Sequence, residues 1–473
     1  MILSIGAADA APWTPVGNSQ LRSDIEILAA AGVLDNITTQ WPLPWGGILY
    51  RLGQANALDG QPAYVVAAAR RVESLGRYET DRDTAHFSVT TDITNGPAVI
   101  RGFDALGRQT AQGQGIFDYT WSSTAVHLAV GAQTTSRTDH QILVLDGSYV
   151  AQRLGNAGIY AGYMPHWWGP GWNTALSLST DARPFPQIGI TRIDTTAFST
   201  PWLSWMGPWQ AEFFIGVLDG KRIARNTLFN GLRISINPLP GLELALARTE
   251  QLCGTGHPCV PLAEFFNVKN DPLHNSRSKD ETNFDIRYTG IARAIPYEIY
   301  MQVMDRDTGP FVHSDSSHLF GASVWIPVSS SAVRLTAEYA DTISTQNFFS
   351  FGKDFFGTTY TDYKYTDGWQ YRGRTLGSSL GTDSRLATLQ AAWTGAHGIG
   401  YSISYDHAAI GSPQAPAANI VSQAPVTINI GGVAVTLPFK AINVGLALRF
   451  QDDQPRPDRG SQAAVEITLQ RRL

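Results

Sequence analysis

Ile442-Asn-Val-Gly-Leu-Ala-Leu-Arg-Phe450 decides the fold. Large apolar residues hold the even positions; asparagine, glycine, alanine and arginine hold the odd ones. A period of two marks a strand with one apolar and one polar face, whereas a helix would need spacings of three and four. The pattern recurs outward from this stretch. Val465, Ile467 and Leu469 oppose Glu466, Thr468 and Gln470, and Ile399, Tyr401, Ile403 and Tyr405 oppose Gly400, Ser402, Ser404 and Asp406. Arg334, Thr336 and Glu338 share one face of 333–339, and Leu242, Leu244 and Leu246 share one face of 242–248. Similar segments lie near 86–92, 124–131, 141–151, 211–219, 228–237, 283–290, 297–304, 319–327 and 385–394. From about Thr84 onward the chain therefore holds roughly 16 to 19 strands, within the range of single-chain membrane barrels.

Two architectures fit alternation alone. Soluble sandwiches would turn the apolar faces inward. A barrel of this many strands encloses a lumen too wide to fill with its own wall side chains, so its apolar faces would turn outward to lipid. The polar faces carry opposite charges, Asp285 with Arg287 and Arg334 with Glu338, which suits a charged lumen. Long loops, such as 254–279, 412–423 and 451–462, also suit a barrel with long connections at one end. Composition agrees: 16% charged residues, 45 glycines and 11% aromatics lean to β structure. There is no run of about 18 apolar residues, so no transmembrane helix is expected. A net charge of -5 gives no electrostatic case for nucleic acid.

The first part reads differently. Residues 1–11, with Ala8-Asp9-Ala10, read as a signal-peptide remnant or a disordered N-terminus. Asn18 or Ser19 caps a helix over about Leu21 to Ala31, ended by Gly32. Trp41-Pro-Leu-Pro-Trp45 breaks any helix; a short helical segment follows near 51–58 and a longer one from Pro62 to about Leu75. The expected division is a helical domain at 12–83 and a barrel at 84–473.

Few motifs carry chemistry. Gly377-Ser-Ser-Leu-Gly381 matches a nucleophile elbow in spelling but lacks the strand and helix around it. Asp305-Arg-Asp-Thr-Gly309 lacks the distal ligands of a calcium loop, and His313, Asp315 and His318 lack helical context for a metal. No catalytic residue, metal or cofactor is expected. Cys253 and Cys259 sit in a Gly/Pro loop, in neither a metal nor a redox spacing, and fit a small disulfide clip. Trp167, Trp168 and Trp172 lie in Pro165-His-Trp-Trp-Gly-Pro-Gly-Trp172; indoles serve as sugar platforms or as packing. Trp202, Trp205 and Trp209 form a second cluster, read as an interfacial belt or as packing. Lysines are six of the 35 basic residues, and arginine's planar fork suits acidic sugars. Arg183, Arg372 and Arg374 are the basic candidates.

These stretches resemble a family. Trp167-Trp-Gly-Pro-Gly-Trp172 with Leu176-Ser-Leu-Ser-Thr-Asp-Ala-Arg-Pro184, then Ala247 to Cys259, then Asp367-Gly-Trp-Gln-Tyr-Arg-Gly-Arg-Thr-Leu-Gly377, look like the capsule-assembly Wzi family. Leu21-Arg-Ser-Asp24 and Trp41-Pro-Leu-Pro-Trp45 also fit. The resemblance implies an 18-stranded outer-membrane barrel with a small periplasmic helical bundle. It implies a lectin-like role, binding capsular or extracellular polysaccharide at the cell surface, without catalysis. The expected partners are that polysaccharide, outer-membrane lipid and the polysaccharide export machinery. A porin-like channel for sugars or small acids is the alternative.

Overall fold

In a computed structural model of the chain, residues 13–104, 107–259, 278–306, 315–346, 352–395 and 398–473 are described. The signal-like residues 1–11, Asp307, Gly309 and His313 lie outside them.

The alternating segments pair into one closed antiparallel barrel of eighteen staves. They run from Ala85–Thr94 to Gln462–Arg472, and these two close the ring through pairs from Ser88 with Arg472 to Thr94 with Glu466. Closure leaves no strand edge unpaired, as a backbone surrounded by hydrocarbon requires. One stave is interrupted: Leu143–Val144 and Tyr149–Leu154 both pair with Thr124–Gln133. The quoted stretch falls in Ile442–Gln451, with Leu446, Leu448 and Phe450 exposed on its outer face. The same holds around the ring: Val89, Leu128, Ile188, Ile234, Ile299, Leu335, Leu389 and Val433 all face out. This is a lipid-facing belt. Tyr288, Trp121, Tyr401 and Phe439 flank it toward one end and Phe320, Tyr339 and Tyr405 toward the other.

The two ends differ. Leu239 to Leu242, Ala292 to Ile295 and Val328 to Ser331 are joined by two-residue turns. At the opposite end the connections are long, reaching from Thr345 to Arg385. Helix α1 (Ser19–Ala30), α2 (Trp45–Leu52) and α3 (Ala63–Glu79) sit at the short-turn end. Asn18 caps α1, its Oδ1 accepting from Leu21 N at 2.9 Å. The Trp41-Pro-Leu-Pro-Trp45 stretch both breaks and starts structure: Pro44 is the N-cap of α2, which begins about six residues earlier than its sequence reading. Ile25, Leu28, Val65, Ala68 and Val72 form the apolar seam of α1 and α3. Gly76 lets α3 close on α2, because a Cβ there would stand 2.8 Å from the Trp45 ring.

These helices enter the mouth of the barrel. Asn36 Nδ2 donates to the Gly241 carbonyl at 2.8 Å, and Trp325 Nε1 donates to Ser23 Oγ at 2.8 Å. The charges assigned to the polar face do line the lumen, with partners other than those expected. Asp285 pairs with Arg233 at 2.6 Å. Arg287 meets Glu26 of α1, Glu243 and Glu298. Arg334 stacks over Trp172 at 3.6 Å rather than pairing with Glu338. The partners come from neighbouring staves and from α1: Glu243 lies directly opposite Arg287 in the ladder, closer than the next residue along the same strand face.

Candidate functional site

Two assemblies follow from the long loops: a plug inside the lumen, and a charged lattice above it.

The plug is the segment 163–186, between the staves Ala157–Gly162 and Gln187–Arg192. Buried in a lumen, its backbone must find partners, and the wall supplies them. Glu338 accepts from the N–H groups of Trp172 (2.7 Å), Asn173 (3.1 Å) and Thr174 (2.9 Å), and from the Tyr300 hydroxyl (2.9 Å). Gln302 accepts from Leu176 N at 2.8 Å and donates to the Trp168 carbonyl at 3.1 Å. From below, Arg22 of α1 donates to the Pro170 (2.6 Å) and Gly171 (2.8 Å) carbonyls. Its guanidinium lies 4.1 Å from the Trp172 ring centroid and 4.7 Å from that of Phe103. Trp172 Nε1 donates to Glu298 at 2.7 Å, and Trp167 Nε1 to the Gly171 carbonyl at 3.0 Å. Trp167 and Trp168 pair in a short ladder with Gln40 and Trp41. Room for Trp168 comes from Gly231, where a Cβ would stand 3.0 Å from the indole.

Trp167, Trp168 and Trp172 are therefore buried, at 0%, 0% and 3% exposure. This corrects their reading as a surface sugar platform. Two glycines and a proline shape a turn that packs the rings against helix and wall, and they present no face to a polymer outside the barrel.

The lattice uses the same segment a few residues on. Arg183 pairs with Asp139 at 3.0 Å and Asp146 at 2.7 Å. Arg372 reaches Asp219 at 3.2 Å and Asp139 at 3.6 Å. Arg374 pairs with Asp181 at 2.9 Å, and Asp181 also faces Arg101 at 3.8 Å. Arg108 faces Asp146 at 3.7 Å and donates to the Thr180 carbonyl at 2.8 Å. The three predicted arginines thus meet in one network, each anchored by a carboxylate from another loop. Burial and neighbouring guanidinium groups lower the pKa of Arg108, whereas the Tyr371 oxygen and then Asp219 raise that of Arg372 against the opposing pull of burial. Arg183 is 6% exposed, while Arg372 and Arg374 keep part of their side chains open.

Sequence reading missed Arg101, Arg108 and the four aspartates, which lie on separate loops without a local motif. It also missed Tyr363, an 80% exposed ring on the 352–384 loop, with Lys364 Nζ 5.2 Å from its centroid. The tyrosine-rich spelling Tyr360-Thr-Asp-Tyr-Lys-Tyr365 was the available signal. Cys253 and Cys259 are disulfide-bonded. Their clip sets His257 on the Tyr365 ring, centroids 4.3 Å apart, and Tyr365 donates to the Cys253 carbonyl at 3.0 Å. Gly377 to Gly381 is a buried loop, where Ser379 Oγ accepts from Arg101 N at 3.1 Å. Among the described residues no cluster of three or more His, Cys, Asp or Glu is arranged to hold a metal.

The family model for the capsule assembly protein Wzi matches residues 82–451. A protein described as an uncharacterized 55.8 kDa protein in the cps region of Klebsiella pneumoniae is 25% identical over 335 residues, covering 68% of this chain and 64% of that protein. The chain thus spans just under two thirds of that relative. The solved structure of Wzi from Escherichia coli, titled an outer membrane protein involved in group 1 capsule assembly and a carbohydrate-binding β-barrel, superposes with a TM-score of 0.83. It is 20% identical and covers 97% of this chain and 99% of its own. A closed barrel with a filled lumen, helices in one mouth and a match over most of the length place this chain in the Wzi family of capsule assembly proteins.

Proposed function

We propose that this protein is a non-enzymatic anchor for capsular or related exopolysaccharide in the outer membrane. In this reading the helical part faces the periplasm and the long loops face outward. The observation that carries it is the combination of a filled lumen with an arginine–aspartate lattice above it, in which Arg372 and Arg374 keep part of their side chains open. The plug is held from the wall by Glu338 and Gln302 and from α1 by Arg22, which favours binding over passage. Arg372 and Arg374, with the exposed ring of Tyr363, offer planar donors and an apolar face to a chain of acidic sugars. The carbohydrate binding of the Escherichia coli Wzi barrel and the capsule-region origin of the Klebsiella relative point the same way. Export machinery on the helical side is the expected second partner.

The test is saturable binding of the detergent-folded protein to the producing strain's surface polysaccharide, with bilayer conductance recorded on the same sample. Binding with little conductance supports the anchor. Conductance without binding would move the reading to a porin-like channel, and loss of polymer mass would indicate an enzyme. Arg372→Ala and Tyr363→Ala should each weaken binding several-fold.

A further inference from the structure

At the short-turn end, one connection is far longer than its neighbours. The turns after Leu154, Leu239, Ala292 and Val328 take two residues each, whereas 193–208 takes sixteen. Its first residues touch the helical part, where Thr195 Oγ1 donates to Asp35 at 2.5 Å. It then crosses to the outer wall. Phe198 stacks on Trp209, centroids 4.6 Å apart and planes within 16°, and the Arg192 guanidinium lies 3.9 Å from the Trp209 ring. Arg192 continues the outward row of Ile188 and Ile190. It fixes the connection by donating to the Trp209 carbonyl at 2.6 Å and the Thr196 carbonyl at 2.7 Å. After a single 3-10 turn at Ser204–Met206, Gly207 backs directly onto the Asn237 carbonyl, beside the exposed Leu239. The result holds Trp202 at 73% and Trp205 at 62% exposure just past the lipid-facing belt.

We propose that this connection is a membrane foot, which lays Trp202 and Trp205 into the headgroup and upper acyl region of the phospholipid leaflet at the short-turn end. Three observations select lipid as the occupant. The indoles continue the outward apolar surface of Ile188, Ile190, Ile234 and Leu239 without a gap in kind. The connection is braced against the outer wall through Phe198, Trp209 and Arg192 and so is set at the rim of the bilayer rather than over the lumen. Indole also combines an apolar body with one N–H donor, the chemistry that favours a water–hydrocarbon boundary. The foot would set the depth and tilt of the barrel at the end that bears the helices. The inference rests on the barrel spanning a bilayer, and not on which compartment the helices face or on polysaccharide binding.

The test compares the protein with its Trp202→Phe/Trp205→Phe variant in phosphatidylcholine vesicles. The lipids carry bromine either near the glycerol backbone or near the chain end, and the difference in tryptophan emission isolates the two indoles. Heat-modifiable gel mobility verifies that both proteins are folded. The foot predicts a blue-shifted difference spectrum, quenched several-fold more by shallow bromine than by deep bromine and shielded from aqueous acrylamide. A red-shifted difference open to acrylamide would overturn it, as would shielding from acrylamide without bromine quenching, which would mean cover by protein. Wild-type polysaccharide binding of the variant would show that the two readings stand or fall separately.

Discussion

Two tryptophan-rich stretches look alike on paper and end in opposite places. Trp167-Trp-Gly-Pro-Gly-Trp172 and Trp202-Leu-Ser-Trp-Met-Gly-Pro-Trp209 share indoles, a proline and glycine. The first is buried in the lumen; the second leaves two indoles more than half exposed. What separates them is the set of partners that waits. The first threads past Glu338, Gln302 and Arg22, which satisfy its backbone on both sides. The second meets only the rim and its own Arg192. Aromatic content sets how much a segment gains from leaving water, while the polar groups around it decide whether its backbone can follow.

The sharpest way to break this contrast is truncation. Trp168→Ala or Trp172→Ala should cost about 3–5 kcal/mol, as for other fully buried large side chains, read as a lower urea midpoint of the folded barrel. Glu338→Gln keeps the shape but removes the charge that four donors share. A loss of about 1–3 kcal/mol is expected, with noisier baseline conductance as the plug loosens. An unchanged urea midpoint in both would mean that the wall does not hold the plug.

A smaller effect concerns the seam between helices. Trp45 Nε1 donates to Glu79 at 2.6 Å, and burial pushes the Glu79 carboxyl up from 4.5 to about 7 against the opposing pull of that hydrogen bond. The folded state thus holds the proton more tightly than the unfolded chain. Stability of the helical part should be highest at acid pH and fall as pH rises from about 4.5 to about 7, then level off. Glu79→Gln should flatten that decline in thermal scans across this range; a decline of equal size in the variant would assign it to another group. Smallest of all, Trp202→Ala should change stability in detergent by no more than about 0.5 kcal/mol, which a urea titration can check against Trp168→Ala.

How far the chain could be read follows the same division. Staves such as Arg385–Thr394 were legible to the residue because a bilayer outside and a polar lumen inside impose strict alternation. The start of α2 was not, since Pro44 reads as a breaker and serves here as a cap. The site was half legible. Arg183, Arg372 and Arg374 could be named as basic candidates, but their tie to Asp139, Asp146, Asp181 and Asp219 spans from tens to more than two hundred residues and leaves no local trace. The burial of Trp167 and Trp168 was hidden for the same reason. A sequence displays a loop's side chains, whereas the fate of this loop depends on main-chain acceptors and donors on remote strands.

The Glu338 contact has a consequence for how the segment can change over time. It grips three successive main-chain N–H groups and no side chain of Asn173 or Thr174. This contact itself asks nothing of the letters at those two positions, provided the spacing stays fixed. A single inserted or deleted residue would shift the whole comb of donors past its carboxylate. Divergent versions of this segment should therefore tolerate a changed letter at position 173 or 174 more readily than a change in length.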